Sequence, residues 1–102
     1  MMGRTLPRLS KTERTILEQL QAGELFGLQL VEDGTLKRGT VYVTLARMQQ
    51  KRYVKSRQEP RLPRAIGLPR RWYSSTPYGR RVLEAWRAAE RAYDEGERAG
   101  AA

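Results

Sequence analysis

Apolar positions recur along this chain with helical spacing, and in one place that spacing competes with a strand signal. In "LSKTERTILEQLQAG" Ile16, Leu17 and Leu20 share one face. Ser10 stands three residues before Glu13, the spacing at which a cap and its reciprocal carboxylate start a helix. Gly23 closes this first helix, predicted over residues 11–22. "ELFGLQLVEDG" is a shorter amphipathic piece with Leu25, Leu28 and Val31 on its apolar side, predicting a second helix of about two turns ended at Asp33-Gly34. In "KRGTVYVTLARMQQ" the run Thr40-Val41-Tyr42-Val43-Thr44 has the β-branched and aromatic character of a strand. Against that, Val41, Leu45 and Met48 recur at i, i+4 and i+7, and the segment from Lys37 to Lys51 is longer than most strands. Length and period together predict a third helix.

"RYVKSRQ" and "RRWYSST" are short β-rich runs, predicted as the two strands of a hairpin joined by "EPRLPRAIGLP". Thr76 as cap and Pro77 at the first helical position then open an Ala/Arg/Glu-rich helix, in which Val82, Trp86, Ala89 and Tyr93 form a heptad-like seam. Three helices, a hairpin and a long helix are the element order of a winged helix-turn-helix. The expected class is α+β, mostly α, with a two-stranded wing. Residues 1–75 would form the DNA-binding unit and 76–102 a dimerisation helix packed on it. The third helix would enter the major groove.

Charge sharpens this picture. The chain has 102 residues, with 20 Lys and Arg against 11 Asp and Glu, a formal charge of +9. For one small domain that is a bias toward polyanions, nucleic acid before an anionic membrane surface. Cysteine and histidine are both absent, which removes thiolate chemistry, the commonest general base and most zinc and iron sites. The carboxylates lie among Arg and Lys along helical stretches and read as solvated i,i+4 pairs. Neither an enzyme nor a cofactor is expected. No apolar run approaches a membrane span, and the N-terminal residues lack the apolar core of a signal peptide, so a cytoplasmic protein is expected.

Four pieces of the chain, in order, resemble the PadR-type winged-helix transcriptional regulators. They are the apolar first helix, then "AGELFGLQL" for the family's Gly-x-Leu-x-Gly-Tyr turn, "GTVYVTLARMQQKRYV" for its recognition helix, and "RRWYSSTPYGRRVL" for the wing end. The resemblance spans Ser10 to Trp86. It implies a homodimeric, sequence-specific regulator, a repressor, on double-stranded DNA with an inverted repeat. Departures are visible: Leu28 replaces the turn aromatic that makes a phosphate contact in some members, Val43 replaces the proline after the recognition-helix Tyr, and Lys37 replaces a Ser or Thr.

On this reading Lys37 and Arg38 add charge at the third helix's N-terminus. Thr40 and Tyr42 are candidates for phosphate, Thr44 for a base or a thymine methyl, Val43 for a thymine methyl, and Arg47 for a guanine or a phosphate. Tyr42 reads equally as core, whereas Val41, Leu45 and Met48 are assigned to it. Arg61, Arg64, Arg70 and Arg71 in the wing could follow phosphates or enter a narrow minor groove. Arg4 and Arg8 could act likewise, though a frayed terminus is the simpler expectation. Val82, Trp86, Ala89 and Tyr93 are the expected dimer seam. In some members of the resembled family a tryptophan of this helix stacks a planar small molecule between subunits; here an interface role for Trp86 is preferred to an effector site. A basic architectural protein and a winged-helix protein-interaction adaptor are the alternatives, with RNA binding behind them.

Overall fold

The computed structural model describes residues 5–31, 36–60, 67 and 69–101, the side chains of 98, 99 and 101 excepted. Helix α1 spans Lys11–Gln19, and a single 3₁₀ turn, Leu20–Ala22, carries it to Gly23. The Ser10 hydroxyl accepts from the Glu13 amide at 3.1 Å, and the Ser10 amide donates back to the Glu13 carboxylate at 2.8 Å. Two of the donors a helix start leaves orphaned are thereby satisfied. Ile16, Leu17 and Leu20 are buried as their spacing predicts. At Gly23 φ is +143°, a conformation that favours glycine.

The second helix differs from the expectation. Leu25–Phe26 is extended and forms strand β1, and helix α2 covers only Gly27–Val31. Because the helix begins at Gly27, its inner stripe is Gly27, Leu30 and Val31 at i, i+3 and i+4. Leu30 is therefore fully buried while Leu28 is exposed. The stretch expected to end α2, around Asp33-Gly34, lies outside the described residues. A Cβ on Gly27 would stand 2.6 Å from the Tyr42 hydroxyl oxygen, so the small residue sets how closely the two helices approach.

Helix α3 runs Arg38–Gln50. Period prevails over β propensity because Val41, Leu45 and Met48 can all reach the core only on a helix, and all three are fully buried. Strands β2 (Val54–Gln58) and β3 (Arg71–Ser75) pair antiparallel, with Val54 opposite Ser75 and Gln58 opposite Arg71. β1 adds to the free side of β3, Leu25 opposite Tyr73 and Phe26 opposite Trp72. The wing hairpin thus belongs to a three-stranded sheet in the order β1-β3-β2, one strand more than predicted. Two extended residues carry no periodicity by which a sequence could announce them.

Helix α4 spans Pro77–Ala101. The Thr76 hydroxyl accepts the Gly79 amide at 2.9 Å and donates to the Arg52 carbonyl at 2.6 Å, joining the start of α4 to the turn after α3. Gly79 lies directly on the Tyr53 carbonyl, where a Cβ would overlap the oxygen. Val82 and Leu83 then enter the same core as α1, α2 and α3, with Tyr53, Val54 and Tyr73 from the sheet side. From Ala88 to Glu97 every residue of α4 is exposed.

Candidate nucleic-acid interface

With Val41, Thr44, Leu45 and Met48 turned inward, the opposite side of α3 carries Gly39, Val43, Ala46 and Gln50, all exposed. These positions are separated by four, three and four residues and form one stripe. Three of the four side chains are short, so a partner can approach the helix backbone closely; Gln50 ends the stripe with an amide that both donates and accepts. Val43, 55% exposed, was anticipated here; Gly39, Ala46 and Gln50 were missed. The same 3.6-residue period that found the core would have named them.

Thr44 corrects the sequence reading. At 7% exposed it is i+3 from Val41 and i−4 from Met48, on the inner stripe, and cannot face a base edge. Tyr42 is 41% exposed, its ring against Gly27, so it is both a packing residue and part of the surface.

Cations flank the stripe. Lys37 and Arg38 at the N-terminus of α3, and Arg47 near its end, are exposed and have no carboxylate partner among the described residues. The positive end of the α3 dipole coincides with the first two. On one side α3 faces the sheet: Arg38, Tyr42, Leu28, Phe26, Arg70 and Arg71 line a common groove. Arg70 is held there by the Phe26 ring, 4.7 Å from guanidinium to centroid, a cation–π contact that orients the charge without neutralising it. Arg71 is steadied by the Ser56 hydroxyl at 3.1 Å and the Gln58 amide oxygen at 3.2 Å. Arg61 and Arg64, expected beside them, lie outside the described residues.

Phe26, Trp72 and Arg57 form one rung across the three strands. The Phe26 and Trp72 rings meet edge to face at 5.1 Å, and the Arg57 guanidinium lies 5.7 Å from the Trp72 ring. Glu24 accepts from Arg57 at 2.6 and 2.8 Å; this hydrogen bonding holds the Glu24 carboxyl below the usual carboxylate range. Arg57 is thus committed within the chain, whereas Arg70 at the far end of the row remains available.

On its other side α3 faces α1, across a groove lined by Arg8, Ser10, Thr12, Glu13, Thr40, Thr44, Arg47 and Lys51. Glu13 is 3% exposed, and its second oxygen accepts from the Lys51 ammonium at 2.7 Å. Burial would raise its pKa, but the bonds from Lys51 and Ser10 together outweigh that and hold it low. Arg8 does not fray. Its carbonyl accepts from the Tyr53 hydroxyl at 2.7 Å and the preceding Pro7 carbonyl from the Trp86 indole at 2.8 Å. Arg4 lies outside the described residues.

That second bond also corrects the expected seam. Trp86 is packed against the domain's own core and bonded to its N-terminal segment, and Val82 is 2% exposed. Ala89 and Tyr93, the latter 70% exposed, present an uncovered surface, and the half-buried Trp86 borders it. α4 therefore uses its first half to close the domain and leaves its second half uncovered.

Solved structures share this arrangement. A PadR family transcription regulator from Clostridium difficile superposes with a TM-score of 0.72 at 22% identity, over 91% of this chain and 100% of that one. A PadR family regulator from Eggerthella lenta gives 0.67 at 24% identity, over 81% and 74%. Bacillus subtilis PadR, in a structure with operator DNA, gives 0.62 at 21% identity, over 72% of this chain but only 43% of that longer one. At such identities the likeness establishes the winged-helix fold. No curated protein sequence matches significantly. The model of the transcriptional regulator PadR-like family matches residues 16–85, from the core of α1 into the first third of α4, and the chain thus belongs to that family of regulators.

Proposed function

We propose that the chain is a homodimeric, sequence-specific DNA-binding regulator, a repressor that recognises an inverted repeat. The observation that carries this reading is the exposed stripe of α3, short side chains bordered on both edges by unpaired cations. Laid in a major groove, the stripe would bring Val43 and Gln50 to base edges, Val43 against a thymine methyl and Gln50 to an adenine edge. Lys37, Arg38, Thr40, Tyr42 and Arg47 would meet phosphates on either side. Arg70 and Arg71, with Arg61 and Arg64 further out in the wing, would follow the adjacent backbone.

Dimerisation through the uncovered half of α4, with Ala89 and Tyr93 at its centre, would place two α3 helices on half-sites roughly 34 Å apart or a multiple of that. The Bacillus protein seen with operator DNA supports the DNA partner. Selection of duplexes from a random pool at low and at physiological salt tests the proposal. An enriched inverted repeat that survives the higher salt is the expected result. Binding that collapses with salt and enriches no motif would refute specificity and leave a basic architectural protein.

A further inference from the structure

We infer that the groove between α1 and α3 is a second phosphate-binding site, formed by Arg8, Thr12, Thr40, Thr44 and Arg47, that holds the DNA backbone on the side of the recognition helix away from the wing. The inference rests on the DNA-binding reading above. Three independent features point to it. Arg8 and Arg47 both line the groove and neither has a carboxylate partner among the described residues. The groove's one carboxylate, Glu13, has both oxygens occupied, by the Ser10 amide and the Lys51 ammonium, so Arg8 and Arg47 contribute two uncompensated charges.

Second, Thr44 lines the same groove at 7% exposed, and its hydroxyl has no hydrogen-bond partner among the described residues. The hydroxyl is not sealed from solvent; it opens into the groove and is free to donate there. A phosphate oxygen in the groove gives the hydroxyl an acceptor. Third, the segment bearing Arg8 is fixed on both sides of the residue's peptide, by Tyr53 and Trp86. An arginine whose backbone is tied down before binding loses less freedom on meeting a phosphate than one on a loose terminus. The N-terminus of α1, capped at Ser10, adds its dipole with the same sign. Across α3, the wing-side groove with Arg38 and Arg70 offers the matching contact, so the recognition helix would be gripped along both edges.

The test uses the selected duplex and a series of its derivatives, each with one phosphate replaced by a neutral methylphosphonate. The full-length protein and its Arg8→Ala, Thr44→Val and Thr44→Ser variants are compared, with folding confirmed by circular dichroism. Arg8→Ala should weaken binding roughly ten-fold and flatten the dependence of log K on log salt by about 0.9. Thr44→Val should weaken it roughly three- to ten-fold, with Thr44→Ser restoring most of the loss. One phosphate position should be found whose neutralisation weakens the unmodified protein but no longer affects Arg8→Ala. If every sensitive phosphate is equally sensitive in Arg8→Ala, the site does not exist, although the DNA-binding reading stands. Competition by millimolar inorganic phosphate that Arg8→Ala abolishes, with the phosphate pattern unchanged, would make it a site for a free anion and overturn the assignment to DNA. An unmodified protein that binds no duplex would overturn both readings.

Discussion

Replacing Glu13 with Gln removes a charge from a place where the fold uses it twice. The carboxylate accepts the Ser10 amide at 2.8 Å and the Lys51 ammonium at 2.7 Å, and it is 3% exposed. A hydrogen bond to a charged group contributes about 1.5–3 kcal/mol. The Lys51 side chain is 37% exposed, so water can take over its ammonium and the larger cost of a stranded buried ion does not apply. Glutamine keeps an oxygen for the Ser10 amide, so the expected loss is about 2 kcal/mol at neutral pH. For a domain of this size that lowers the melting temperature by about 8–16 °C. The sign of the pH dependence follows from the direction of the shift. Because folding lowers the Glu13 pKa, its contribution is fully present above the unfolded carboxylate value and is lost as pH falls through the lower folded value. Urea unfolding at fixed protein concentration, stepped from pH 7 to pH 3, should show the Gln variant less stable at pH 7 and the difference closing toward pH 3. Equal stability at pH 7, or an undiminished gap at pH 3, would refute the assignment.

Gly79→Ala would drive a methyl into the Tyr53 carbonyl and should cost about 1–3 kcal/mol by forcing the backbone apart; an unchanged thermal midpoint would mean that the junction yields freely. Phe26→Leu removes the ring beneath Arg70 and should lose part of what Arg70→Ala loses in DNA affinity, with the double variant no weaker than Arg70→Ala alone; additive losses by fluorescence anisotropy would exclude the ring as Arg70's support. Tyr93→Arg puts charge on the uncovered half of α4 and should shift sedimentation toward monomer without lowering helix content, whereas an unaltered dimer would place the interface elsewhere. Gln50→Ala should relax preference at one position of the selected site, at a cost of about 1–3 kcal/mol against the preferred base; an unchanged motif would remove it from base readout.

The sequence was most legible where period and capping agree. Ser10 with Glu13, and the Val41, Leu45 and Met48 stripe, needed only helical geometry to be placed. β1 escaped because two residues are too few to have a period, and they became a strand only through the free edge that β3 offered them. Leu28 and Leu30 exchanged faces because a helix's phase depends on where it begins, and Gly27 begins it. Thr44 has the chemistry of a base contact, but its spacing from Val41 and Met48 places it inside. Val82 and Trp86 follow a heptad, but the same spacing serves a helix packed on its own domain. Arg8 is a candidate in the sequence, but that its segment is held rather than frayed is not legible there, since Tyr53 and Trp86 lie 45 and 79 positions away from the carbonyls they bind.

The Thr76 junction carries a consequence for how a message could cross this small protein. One hydroxyl accepts from the start of α4 and donates to the carbonyl that ends the turn after α3, while Gly79 lies flush on the next carbonyl. Both contacts tie the start of α4 to the turn that follows α3. On the proposed reading, a load on the outer half of α4 would swing α3 as one piece with its shaft, like the bit of a key turned by its bow. Adding or deleting a single residue in the outer half of α4 would rotate everything beyond it by about 100° and, in the dimer proposed above, misalign the two α3 helices with each domain still intact.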